Sequence, residues 1–155
     1  MDRREFTTLL PSLLAAAALM PESVAAQQSD MQKPHPLAEV LSGVYPPLPP
    51  ANPAAQRVSR RYLGGILKAG NIQIEMHETT QQPGTPHEPV GKHLHNELWM
   101  VREGVCELTT NGVTRTMNVG DVGVCCAGDL HYIRNAGETQ CTYFVVTVGP
   151  PENDR

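Results

Sequence analysis

The chain has 155 residues, 40% of them hydrophobic, and carries 12 Lys and Arg against 16 Asp and Glu, for a formal net charge of −4. That length suits one domain with one modest core. No basic run of the kind that neutralises phosphates occurs, so nucleic acid is not an expected partner.

Residues 1–26 have the layout of an export signal. Met1-Asp2-Arg3-Arg4-Glu5 precedes Phe6, a moderately apolar run extends from Leu9 to Met20, and Val24-Ala25-Ala26 offers small residues where a signal peptidase cuts. The paired Arg3-Arg4 resembles a twin-arginine signal. Cleavage after Ala26 is expected, with a periplasmic or secreted product and no membrane attachment after processing. Pro11 and the weak hydrophobicity of the run argue against a membrane span, which needs about 20 apolar residues.

Residues 27–57 read as a Pro-rich arm. Pro34, Pro36, Pro46, Pro47, Pro49, Pro50 and Pro53 deny it a regular helix or a central strand. A semi-extended path is expected, with at most one short turn from Leu37 to Tyr45.

Residues 58–150 change character. Short β-branched and aliphatic runs recur: Arg60 to Leu67, Ile72 to His77, Leu98 to Arg102, Val105 to Thr110, Val113 to Met117, Val122 to Cys126, His131 to Arg134 and Cys141 to Val148. Ile72, Ile74 and Met76 alternate with Gln73, Glu75 and His77, the period of a half-buried strand, and place His77 on its polar face. Asn111-Gly112 between two such runs is a strong hairpin signal. About eight short strands at this spacing predict an all-β sandwich or barrel.

The four cysteines, Cys106, Cys125, Cys126 and Cys141, lack the C-x2-C spacing of a zinc site and are too few for a disulfide scaffold. They read as small buried hydrophobes. A bridge formed in an oxidising compartment stays open.

Two motifs narrow the architecture. Gly120-x5-Cys126-x-Gly128-x2-His131-x3-Asn135 resembles the second cupin motif, with Cys126 where that family has proline. Glu97-x6-Gly104 matches the end of the first motif. From Asn71 to Gly149 the chain resembles small single-domain cupins. The resemblance implies a double-stranded β-helix, a jelly-roll-like barrel, with a metal near its mouth and a small-molecule ligand. It also implies pairing through the sheets, so a homodimer is expected. The chemistry of such families runs from oxygenases to isomerases to plain binding.

The metal candidates are His93, His95, Glu97 and His131. Imidazole nitrogen and carboxylate oxygen suit first-row divalent ions, so one transition metal (Fe, Mn, Zn or Ni) is the expected cofactor. Gly128-Asp129 predicts the turn that brings His131 inward. Motif one departs from the family, because the first histidine position falls on Gly91. Two registers stay open. In one, His93 and His95 form the pair, followed by Glu97. In the other, Leu94-His95-Asn96 is a hairpin loop that makes His93 and Glu97 cross-strand neighbours. His95 then stands at the loop tip, and a water or His87 fills the place that Gly91 vacates. A straight strand would hold His93 and Glu97 roughly 13 Å apart, too far for one ion. Trp99 and Val101 share the parity of Glu97 and should line the interior, whereas Tyr132 and Arg134 should face away from it.

A metal-dependent enzyme acting on a small polar organic molecule and a non-catalytic protein holding a metal or small ligand both fit. A structural role without metal is the third reading.

Overall fold

The computed structural model describes residues 37–152. The expected export signal, and residues 27–36 of the arm, lie outside the described residues. Within them there are eight strands and no helix. They are β1 (Arg57–Leu67), β2 (Ile72–Gln81), β3 (Asn96–Glu103), β4 (Cys106–Thr110), β5 (Val113–Met117), β6 (Val122–Cys125), β7 (His131–Asn135) and β8 (Cys141–Gly149).

The strands form two antiparallel sheets, ordered β1-β2-β8-β3-β6 and β5-β4-β7. Local chemistry explains the turns. Asn111 and Gly112 adopt φ values of 48° and 79° between β4 and β5, the left-handed pair that matches strand twist in a two-residue hairpin. Chain crossing explains the rest. The last strand, β8, inserts between β2 and β3, so the C-terminal end of the fold lies at the centre of the larger sheet.

The core forms between the sheets. Trp99, Val101, Tyr143 and Val145 from the larger sheet join Cys106, Leu108 and Ile133 from the smaller one. The inward parity of Trp99 and Val101 is as expected. Tyr132 is half-buried, and exposed Arg134 pairs on the other face with Glu107. Of the cysteines, Cys106, Cys125 and Cys141 are buried thiols, but Cys126 is exposed. Cys126 is therefore not a core residue, because it occupies the turn after β6, where Asp129 N–H donates to its carbonyl at 3.0 Å.

β2 has an unexpected orientation. Its polar residues His77, Thr79 and Gln81 pair with Val145, Tyr143 and Cys141, which are all core residues. Side chains of paired residues share a face, so the polar set of β2 points inward. Ile74 and Met76 share the outer face with Val148 and Val146.

That outer face continues across β3 and β6. Leu98 pairs with Val124 and Met100 with Val122, and all four are exposed. Along β1, Val40 N–H donates to Ile66 O at 2.8 Å and Leu48 N–H to Arg61 O at 2.8 Å, which lays the arm on the sheet edge.

Candidate metal centre

The site is built where two short segments meet at one end of the barrel. Gly91 and His131 form an isolated antiparallel bridge, with Gly91 N–H donating to His131 O at 2.8 Å and His131 N–H to Gly91 O at 3.1 Å. Gly128, at φ 88°, makes the turn that returns the chain to His131, and its N–H holds His93 O at 2.8 Å. The chain then bends at Leu94 and His95 and enters β3 at Asn96.

This bend replaces the expected hairpin. Glu97 pairs with Cys125 and Thr147, not with His93. The bend still brings the side chains together. His93 Nε2 lies 3.5 Å from Glu97 Oε1, and His131 Nε2 lies 3.4 Å from Glu97 Oε2. One donor atom from each of the three lies within 4.8 Å of the others. Bonds of about 2.0–2.2 Å to a single ion put neighbouring donors roughly 3–3.5 Å apart, so the set fits a divalent metal. Glu97 and His131 are largely enclosed, with side chains 12% and 8% exposed, whereas His93 is 39% exposed and marks the open side.

His131 is held from behind. Its Nδ1 lies 3.1 Å from Asp129 O and 3.1 Å from Cys125 Sγ, which leaves Nε2 for the cluster. Trp99 packs against its ring at a centroid distance of 5.4 Å. Burial, with the nearby Asp129 and Glu97 charges, pushes the Cys125 thiol up to about 11. It stays protonated at neutral pH.

His95 is not at a loop tip. Its Nε2 lies 3.0 Å from Glu97 Oε1 and its Nδ1 2.6 Å from Glu152 Oε1, and its ring stacks on His93 at 4.6 Å. Both nitrogens face carboxylates, so His95 adjoins the cluster through His93 and Glu97 with its ring nitrogens turned to Glu97 and Glu152. It does not fill the place of Gly91. Gly91 does face the cluster, but a Cβ there would lie 2.8 Å from both His93 Nε2 and His131 Nε2. The glycine is the room these two rings occupy. His87 is exposed and stacks on Tyr132 at 4.1 Å, on the face turned away from the interior. His77 lies 3.6 Å from Glu75, apart from the cluster.

Two contributors escaped the sequence. Cys125 shares the inward face of β6 with its partner Glu97, a relation that only strand pairing reveals. Glu152 follows the last strand, after Pro150-Pro151, and carries no motif.

Residues 77–147 match a family described as a cupin domain. Over that stretch, slightly under half of the chain, the barrel is similar to a cupin domain. Solved structures agree on the fold. KdgF from a Halomonas species superposes with a TM-score of 0.57 at 12% identity, over 74% of this chain and 98% of that one. An RmlC-like cupin with a double-stranded β-helix fold from Methanocaldococcus jannaschii gives 0.54 at 13%, over 71% and 93%. An RmlC-like cupin from Shewanella frigidimarina gives 0.53 at 14%, over 67% and 86%. At these identities the likeness is one of fold. No curated protein matches the chain.

Proposed function

We propose that this cupin holds one divalent transition ion on His93, Glu97 and His131 and presents it to a small polar molecule. The observation that carries the reading is the convergence of two imidazole nitrogens and a carboxylate within 4.8 Å of one another. The Asp129 carbonyl directs Nε2 of His131 to the ion, and the Trp99 ring shields it on one side. When bound, an ion of the Fe, Mn, Zn or Ni class supplies a Lewis acid with coordination positions left for a ligand. A metal-dependent enzyme is the favoured form of this function. A non-catalytic binding protein is the second, because the further titratable groups beside the cluster are already engaged: His95 with Glu152, and Cys125 with His131.

Elemental analysis of tag-free protein purified without chelator tests the ligand set. The parent is expected to hold about one ion per chain and His131→Ala none, with the same far-UV spectrum. Equal metal in both proteins would sink the assignment. Iron or manganese in the parent would favour the enzyme over the binding protein.

For residues 1–26 we propose twin-arginine export to the periplasm or beyond, supported by the order of Arg3-Arg4, the apolar run and Val24-Ala25-Ala26. Lysine at both arginines should leave unprocessed chain inside the cell, and normal secretion would reject the route. The exposed Leu98–Val124 and Met100–Val122 pairs support a homodimer through the larger sheet. Met100→Glu should then sediment as a monomer, and an unchanged mass would reject this face.

A further inference from the structure

Glu152 lies beyond the last strand, yet it is held at three points. Its N–H donates to Gln73 Oε1 at 2.8 Å. Its Oε1 accepts from Leu94 N–H at 3.2 Å and lies 2.6 Å from His95 Nδ1. His95 Nε2 in turn lies 3.0 Å from Glu97 Oε1. One imidazole thus joins a carboxylate from outside the barrel to the carboxylate of the cluster. The approach is possible because residue 149 is glycine: a Cβ there would lie 2.6 Å from His95 Cα.

The arrangement answers a local need. The bend between His93 and β3 has no ladder partner at Leu94 or His95, so strand pairing does not fix its shape. The final torsion of a glutamate is also broad, so Glu97 needs an outside partner to hold one orientation. Hydrogen bonds from outer residues commonly orient ligating carboxylates in this way.

We propose that Glu152 and His95 are positioning residues for Glu97. Glu152 pins the Leu94–His95 bend to the end of β8. His95 engages Oε1 of Glu97, the oxygen that also lies 3.5 Å from His93 Nε2, and so leaves Oε2, 3.4 Å from His131 Nε2, free for the ion. The proposal rests on the metal reading of His93, Glu97 and His131.

The test uses the full chain with Co2+ as probe, read by competition affinity and by the visible spectrum of the bound ion. Glu152→Ala and His95→Ala should each weaken binding about 10–100-fold, the usual scale for loss of an outer partner, and shift the spectrum. Glu152→Gln keeps an acceptor for Leu94 N–H and should recover most of both. Without any metal, amide exchange at Leu94 should accelerate in Glu152→Ala and stay near the parent rate in Glu152→Gln. Parent-like affinity and spectrum in Glu152→Ala would overturn the positioning role, as would equal losses in the Ala and Gln variants. If the parent binds Co2+ and His131→Ala does not, a failure at Glu152 rejects the positioning role alone. If the parent binds no Co2+, the metal reading fails and this role fails with it.

Discussion

β2 and β3 flank the same strand, β8, in the same sheet, yet their inward faces differ in kind. β3 turns Glu97, Trp99 and Val101 inward, the carboxylate of the His/Glu cluster above two buried hydrophobes. β2 turns Gln73, Glu75, His77, Thr79 and Gln81 inward and leaves its aliphatic residues outside. A polar inward face is tolerable only if its groups find partners, and here they do. Gln81 donates to Tyr143 Oη at 2.6 Å and accepts from Asn135 N–H at 3.0 Å, Thr79 meets Ser59 at 2.8 Å, and Arg61 donates to Glu75 at 3.0 Å. A period of two therefore defines two faces of a strand without saying which is the inner one.

The largest test of this contrast is stability. Trp99→Ala should cost about 3–5 kcal/mol as an aromatic core truncation. Gln81→Ala should cost about 1–3 kcal/mol, because it leaves buried donors unpartnered. His77→Ala, half-exposed, should stay within roughly 0.5 kcal/mol. Urea unfolding of the three variants checks the order, and a cost at His77 equal to that at Trp99 would break the comparison.

A smaller effect is expected where the β3 side meets the cluster. Gly91→Ala places a methyl 2.8 Å from both His93 Nε2 and His131 Nε2. Both rings must move, and metal affinity should fall on a scale of about 10–100-fold, as when a ligand's support is lost. Isothermal titration measures it. Stronger binding would mean that position 91 is a vacant place after all, as the cupin resemblance first implied.

The smallest effect belongs to Glu75 on the polar side. The His77 imidazole 3.6 Å away, opposed by burial and aided by Arg61, holds its carboxyl below the ordinary 4.5. A folded value below the unfolded one stabilises the fold above pH 4.5, and that contribution is lost as pH falls through the depressed value. Between about pH 5 and about pH 3, Glu75→Gln should lose less stability than the parent. Parallel urea midpoints across that range would remove Glu75 from the account.

The sequence by itself determined the eight strands, the Asn111-Gly112 hairpin, the turn that returns His131 and the inward parity of Trp99 and Val101. Each depends on residues a few positions apart, through side-chain alternation or left-handed backbone at a turn. Only the tertiary structure decided which face of β2 is inner, that a bend and not a hairpin brings His93 to Glu97, and that His95 turns to Glu152. Those outcomes depend on β8 entering the middle of the sheet, which joins His95 to a residue 57 positions away. Contacts at such separation are set by the crossing of whole strands, and no local pattern records that.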